Sequence, residues 1–131
     1  MTNIYKAFIN ELVIYNFPSS ELIKFIESNN EDDGIHILLD NIDWFIKNNH
    51  FDLLKPLYEQ NLDLIKYNKW YAFRCAAFND NLDTLEYIHS LTDISDGLKA
   101  RDWDAVRNAN TETKQWFKTT FPELMKQYKN D

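Results

Sequence analysis

The sequence predicts an all-α fold built from repeated pairs of helices. Apolar residues recur at helical spacing along most of the 131 residues. The chain has only two Gly and three Pro, which is too few for the many turns of an all-β sandwich or barrel. In addition, one helix-turn-helix pattern occurs twice between Asp40 and Leu91, and the two copies lie 31 residues apart. A fixed period of roughly 20 to 50 residues is typical of stacked repeat proteins.

The repeat is visible when the two copies are aligned. An offset of 31 residues places Asp52 on Asp83 and Leu54 on Leu85. A weaker match lies one period earlier, at residues 21–26. We therefore expect a single domain, residues 1–131, with units at about 1–30, 31–61, 62–92 and 93–131, which form a short solenoid of about four helix-turn-helix repeats.

Composition narrows the class of protein. The chain is 44% hydrophobic and 27% charged, which is typical of globular proteins. It has no apolar run long enough to span a membrane and no evident signal peptide. A single cysteine, Cys75, excludes an intramolecular disulfide and favours a reducing compartment. We expect a cytoplasmic protein, in the host cytoplasm if the gene is viral.

The net charge of −7 is unevenly distributed. Residues 1–65 hold four Lys against eleven Asp and Glu, whereas residues 66–131 hold ten Lys and Arg against ten Asp and Glu. An acidic half repels nucleic-acid phosphates and favours basic partners, although it also simply promotes solubility. We therefore expect no direct nucleic-acid binding. The candidate acidic surface comprises Glu31, Asp32, Asp33, Asp40 and Asp43.

The first half of the chain predicts four helical segments. Residues 3–15 form the first helix, and Ser19 or Ser20 caps a second one. Residues 28–34 read as a loop, and residues 35–39 fit either an extended piece or the start of the next helix. Asp40 or Asn41 caps that helix, and its partner runs from about Phe51 to Gln60. Pro56 lies inside this partner helix and should bend it.

The second half continues with helices over residues 70–78 and 82–91, followed by a loop at 92–97. From Leu98 the register weakens, because residues 105–112 resemble residues 76–83 at an offset of 29. A short last helix is expected from Phe121 to about Tyr128. An atypical last unit is normal at the open end of a solenoid. The chain is also rich in Asn, which is typical of AT-rich genes.

The central stretch resembles the ankyrin repeat. Residues 49–64, NHFDLLKPLYEQNLDL, follow the family pattern Gly-His-Leu-Glu-Val-Val-Lys-Tyr-Leu-Leu-Glu-x-Gly-Ala-Asp. Residues 76–83, AAFNDNLD, follow Ala-Ala-x-x-Gly-His-Leu-Glu. The resemblance covers residues 40–92 well, residues 1–30 loosely and residues 98–128 poorly. Similar divergent arrays are encoded by phages, large viruses and intracellular bacteria.

The departures from the family pattern also have structural consequences. The Thr-Pro-Leu-His start is absent, so we expect short loops in place of long β-hairpin fingers. Asn49 and Asp80 stand where the family has its turn glycine. Asn, and less readily Asp, tolerates the left-handed conformation, so these turns should still form.

Catalytic and metal sites are not indicated. Cys75 and His89 are the one Cys/His combination available for nucleophilic catalysis, but no spacing brings them together. The three histidines are too scattered for a metal-ligand pattern. Residues 31–34 lack the alternating ligands of an EF-hand loop. We therefore predict no enzyme, no cofactor and no metal.

The best candidate for a binding site lies at the repeat boundaries, where the resemblance implies that ankyrin-like proteins contact their partners. Trp, Tyr and Arg are enriched at interface hot spots. Equally, these aromatics could fill the core between repeats. The candidate protein-binding residues are Trp44, Tyr67, Lys69, Trp70, Tyr71, Arg74, Phe78 and Trp103.

These features favour a non-catalytic protein-binding module, acting as a monomer or homodimer, that blocks or recruits a partner protein, such as a host factor if the gene is viral. The alternative is a small acidic inhibitor that imitates DNA and blocks a nucleic-acid-binding or defence enzyme. A regular line of carboxylates on one surface would favour the alternative, whereas scattered carboxylates would favour solubility.

Overall fold

The computed structural model describes residues 3–128, with side chains from Phe8 onward. This part of the chain contains no strand, which confirms the all-α class. It forms ten α-helices and two short 3-10 helices, at Phe51–Leu54 and Leu62–Lys66. The α-helices are α1 (Asn3–Ile14), α2 (Ser19–Ile26), α3 (Glu31–Asp40), α4 (Ile42–Lys47), α5 (Lys55–Gln60), α6 (Tyr67–Phe78), α7 (Leu82–Leu91), α8 (Ser95–Arg107), α9 (Thr111–Thr120) and α10 (Pro122–Met125).

Helix α3 begins inside the segment that the sequence predicted to be a loop. The side chain of Asn30 accepts a hydrogen bond from the backbone N–H of Asp33 at 2.9 Å, which caps the helix. Three acidic residues fill the first turn, where the helix dipole favours negative charge. The loop prediction for residues 31–34 is therefore wrong, and the ambiguous segment 35–39 is helical.

Pro56 does not bend a long helix, as the sequence had predicted. The segment 51–60 is instead divided into a 3-10 helix, Phe51–Leu54, and the short helix α5. Pro56 occupies the first turn of α5, where its missing N–H costs no intrahelical hydrogen bond. The proline thus marks a helix start.

Three inter-helix turns share one geometry, in which a single residue adopts the left-handed conformation. Asn16, Asn49 and Asp80 have φ angles of 61°, 60° and 52°. In each turn the N–H of the following residue donates to the carbonyl five positions earlier, as from Asn81 to Ala76 at 2.9 Å. This is the Schellman arrangement that usually requires glycine. The prediction of left-handed turns at Asn49 and Asp80 is confirmed.

Asparagine also supplies helix caps throughout the fold. At N-termini its side chain accepts from a backbone N–H, at Asn30, Asn61, Asn81 and Asn110. At C-termini its amide donates to the carbonyl four residues earlier, at Asn41, Asn48, Asn79 and Asn108. Asn16 and Asn49 also occupy the left-handed position of Schellman turns. Many of the asparagines therefore have a structural role at helix ends.

Helix α6 lies at the centre of the fold. It packs against α4, α7, α8 and the 3-10 helix Leu62–Lys66. Phe73, Ala76 and Ala77 on α6 are fully buried. The core continues on both sides, from Leu12 and Phe25 near the start of the chain to the far end, where Val106, Phe117, Met125 and Tyr128 are buried.

One buried hydroxyl predicts a stabilising substitution. Oγ1 of Thr113 on α9 is buried and has no hydrogen-bond partner among the described residues. Because an unpaired buried hydroxyl is unfavourable, Thr113→Val should raise the free energy of unfolding by about 1 kcal/mol, measured by urea denaturation. Thr84→Val is the matched control, because Thr84 on α7 also lies three residues after an N-cap asparagine and is slightly more exposed. A loss of stability in Thr113→Val would contradict the prediction.

Candidate protein-binding surface

Three helices, α4, α6 and α8, form a row with α6 in the middle. Side-chain hydrogen bonds connect the row. Nδ2 of Asn79, at the end of α6, donates to Oδ1 of Asp43 on α4 at 2.9 Å. On the other side, the Arg74 guanidinium donates to Oδ2 of Asp104 on α8 at 3.2 Å. These bridges hold the three helices at fixed positions relative to one another.

Both α6 and α8 contain one turn of left-handed backbone. Asn68, Lys69 and Trp70 have φ angles of 54°, 55° and 63°. The equivalent residues 33 positions later, Arg101–Trp103, have φ angles of 52°, 56° and 61°. Each left-handed non-glycine residue costs about 1–2 kcal/mol, so other contacts must hold these turns in place. Of these six residues, only Trp70 lies in a helix that the sequence predicted, over residues 70–78.

An arginine four residues after each tryptophan stabilises the left-handed turn. Arg74 donates from Nε to the carbonyl of Lys69 at 2.8 Å and from a terminal nitrogen to that of Asn68 at 2.9 Å. Arg107 makes the same two bonds, to the carbonyls of Asp102 and Arg101, at 2.8 and 3.2 Å. We call this pair of contacts the arginine clasp.

The clasp gives the repeat a second sequence signature. Residues 70–74, WYAFR, and residues 103–107, WDAVR, share the order Trp-x-Ala-apolar-Arg at an offset of 33. The N-cap asparagines Asn81 and Asn110 that follow them lie 29 residues apart. The stretch from Trp103 to Asn110 is therefore about one helical turn shorter than the stretch from Trp70 to Asn81, which explains the weak register after Leu98.

Burial removes two residues from the candidate binding set. Trp70 and Arg74 are only 7% and 4% exposed. A Cβ at Gly97 would lie 2.7 Å from the Trp70 ring, so only glycine fits beneath it. The expectation that Trp70 and Arg74 face a partner is corrected accordingly, because both side chains belong to the core.

Tyr71 and Phe78 keep the exposure that a contact residue needs. Phe78, at the end of α6, is 47% exposed. Tyr71 is half-buried, and the Arg74 guanidinium lies 5.4 Å from its ring centroid. Burial, followed by the neighbouring Cys75, raises the pKa of Tyr71 to about 12, so its hydroxyl stays neutral at physiological pH.

Lys47 on α4 is exposed and pairs with Asp43 at 2.9 Å.

The remaining aromatic candidates are partly used for packing. Trp44 is half-buried and meets Phe17 edge-on, with ring centroids 5.1 Å apart. Trp103 is half-buried against Tyr128 at 5.6 Å. The Tyr67 hydroxyl donates to Oδ1 of Asp40 at 2.7 Å. Lys69 is exposed, although its carbonyl is held in the arginine clasp.

The candidate acidic residues are distributed over two helices. Glu31, Asp32 and Asp33 are exposed in the first turn of α3, whereas Asp40 lies at the other end of that helix. Asp43 is on α4, where burial opposes its ionisation but hydrogen bonds from Lys47 and Asn79 outweigh burial and lower its pKa.

Several acidic side chains are neutralised locally. Glu21, Asp43 and Asp52 each form an ion pair with a lysine three or four residues later. A carboxylate that is paired with a lysine contributes less to the regular line of negative charge that imitation of DNA requires. These three pairs therefore favour a solubilising role for the acidic half.

Neither the cysteine nor the histidines form a reactive cluster. Cys75 is buried, and desolvation is the main cause that raises its pKa to about 11, so the thiol is protonated. His89 instead packs edge-on against Phe121, with ring centroids 5.0 Å apart. Between residues 3 and 128, no three His, Cys, Asp or Glu side chains are grouped to hold a metal ion.

Asn79 connects two helices of the row, although the sequence patterns did not single it out. Asn79 joins α6 to α4 and caps α6 by donating to the Cys75 carbonyl at 2.8 Å. The recurrence of Asn48, Asn79 and Asn108 at the ends of α4, α6 and α8 was the signal that could have revealed it.

No known protein family, curated protein or solved structure matches this chain. None of the helices within residues 3–128 is long and apolar enough to cross a membrane. The resemblance to ankyrin repeats therefore stays a prediction from residues 40–92.

Proposed function

We propose that this protein is a non-catalytic protein-binding module, built as a short ankyrin-like stack of helix pairs. The first helices of successive pairs, α4, α6 and α8, form a surface that contacts a partner protein and blocks or recruits it. We call this the first-helix surface, and it comprises Lys47, Tyr71, Phe78, Asp104 and Arg107. The observation that carries this proposal is a half-exposed phenylalanine, Phe78, on a row of helices that polar bridges hold in place.

Long-range hydrogen bonds support the stacked architecture. Five of them join residues between 27 and 36 positions apart: Tyr67 to Asp40, Tyr87 to Glu59, Arg74 to Asp104, Asn110 to Asp80 and Asn79 to Asp43. A separation of about one repeat is what a solenoid produces, because each unit contacts its neighbours. Two of these bonds, from Arg74 to Asp104 and from Asn79 to Asp43, join the helices that carry the first-helix surface.

Rigidity and composition suit this surface to protein recognition. An ordered surface loses little conformational entropy on binding, so more of the contact energy appears as affinity. Aromatic and Arg side chains contribute most of the binding energy at protein interfaces. Phe78 supplies the exposed apolar contact, while the exposed side chains of Lys47 and Arg107 supply positive charge on the neighbouring helices α4 and α8.

The test is affinity capture from a lysate of the cells that express the protein, with wild type and two single variants. Phe78→Ala removes the exposed ring from the first-helix surface. Leu62→Ala is the matched control, because Leu62 is 43% exposed but lies on the 3-10 helix Leu62–Lys66. Circular dichroism must first show that both variants are folded.

We expect wild type and Leu62→Ala to capture the same partner, and Phe78→Ala to bind it at least roughly tenfold more weakly, since a hot-spot truncation costs about 2 kcal/mol or more. Retention of the partner by folded Phe78→Ala at wild-type affinity would overturn the assignment of this surface.

A further inference from the structure

Asp104 on α8 contacts the arginines of both clasps. Its Oδ2 accepts a hydrogen bond from the Arg74 guanidinium at 3.2 Å, and its Oδ1 lies 3.5 Å from a terminal nitrogen of Arg107. The side-chain amide of Asn108 also donates to Oδ1 at 2.9 Å, which helps to orient the carboxylate. One carboxylate is therefore shared between two guanidinium groups, one from α6 and one from α8.

The two clasps differ in their access to water. The side chains of Arg74 and Asp104 are only 5% and 15% exposed, whereas the side chain of Arg107 is 39% exposed. Arg74 also holds the left-handed turn Asn68–Trp70 through two backbone carbonyls. Asp104 thus connects the buried clasp on α6 with the solvent-accessible clasp on α8.

We propose that the two clasps compete for Asp104, so that release of the Arg107 side chain tightens the clasp formed by Arg74. Both guanidinium groups lie within 3.5 Å of the same carboxylate, and a hydrogen bond to one of them reduces the negative charge available to the other. The shared carboxylate is a conformational link between consecutive helix pairs, in which the state of one clasp sets the strength of the other. This link acts within the chain and requires no partner protein.

Competition for Asp104 predicts the sign of an energetic coupling between Arg74 and Arg107. In an otherwise wild-type chain, Arg74→Leu leaves Asp104 paired with Arg107. In the Arg107→Leu background, the same substitution leaves Asp104 without either cation, although its side chain is largely shielded from water, and an uncompensated shielded charge is unfavourable. Arg74→Leu should therefore cost more stability when Arg107 is already absent, whereas two independent clasps would contribute additively.

A double-mutant cycle on the full chain, measured by urea denaturation, tests the proposal. The cycle combines Arg74→Leu with Arg107→Leu and is repeated in the Asp104→Asn background. The matched control cycle combines Arg74→Leu with Lys47→Leu, because Lys47 is also basic and exposed but pairs with Asp43 on α4. All variants are measured at one concentration of trimethylamine N-oxide, which favours the folded state and keeps strongly destabilised variants measurable.

We expect Arg74→Leu to lower the folding equilibrium constant at least roughly threefold more in the Arg107→Leu background than in wild type, which exceeds the usual departure from additivity at independent sites. In the Asp104→Asn background and in the Lys47 control cycle, the effects should be additive to within about twofold. Additive effects of Arg74→Leu and Arg107→Leu would overturn the proposal, as would coupling of the opposite sign or coupling that persists without the Asp104 carboxylate. The readout is stability alone, so the result is independent of the Phe78 binding test.

Discussion

Trp70→Ala is expected to lower the free energy of unfolding by about 3–5 kcal/mol, the range measured for large aromatic truncations in protein cores. Trp70 is 7% exposed and lies over Gly97, so its removal leaves a cavity between α6 and α8. The left-handed turn at Asn68–Trp70 keeps its strain and loses the packing that offsets it. Urea denaturation followed by circular dichroism measures the change.

Phe78→Ala provides the control on the same helix. Because Phe78 is 47% exposed, its truncation should change stability by less than about 1 kcal/mol. If both variants lost the same stability, the core position of Trp70 would be contradicted. Gly97→Ala adds an independent check, because its new Cβ clashes with the Trp70 ring in wild type but not in the Trp70→Ala background.

The burial of Trp70 affects the choice of variants for binding experiments. A variant that replaces Trp70 is expected to weaken binding through loss of stability, whatever surface the partner uses. Phe78 separates the two effects, since it is exposed and its neighbours in the core remain in place. Binding experiments on this chain should therefore alter Phe78 and leave Trp70 intact.

The helices and their turns could be predicted because they depend on local chemistry. Apolar residues at helical spacing define α6 and α7, and Asn49 and Asp80 are polar residues that tolerate the left-handed conformation. These signals act within a few residues of the chain. The start of α3 was missed because its acidic first turn has the composition of a loop, although Asn30 was available as its cap.

The three-residue left-handed turns inside α6 and α8 could not be predicted from the local sequence, because Lys, Arg and Trp disfavour that conformation. Contacts with distant residues select it instead. Trp70 fits over Gly97, which lies on α8, and Arg74 is held partly by Asp104, 30 positions later. A sequence pattern of aromatic and charged residues at repeat boundaries is compatible with either a surface or a core, and burial alone decides between them.

Arg74→Leu is expected to lower the free energy of unfolding by about 3–4 kcal/mol, because it removes a nearly buried charge that is fully engaged. Its guanidinium donates to two carbonyls of the left-handed turn and to Asp104. Leucine fills much of the space but leaves those acceptors without their donor. The change is measured by urea denaturation under the conditions used for Trp70→Ala.

Arg107→Leu is the matched comparison, because Arg107 makes the same clasp around Arg101–Trp103 but its side chain is 39% exposed. Water can replace its hydrogen bonds, so the expected loss is about 1 kcal/mol. Arg74→Lys should fall between the two, since an ammonium group cannot reproduce the planar fork that reaches three acceptors. Equal losses at Arg74 and Arg107 would show that burial does not control the strength of the clasp.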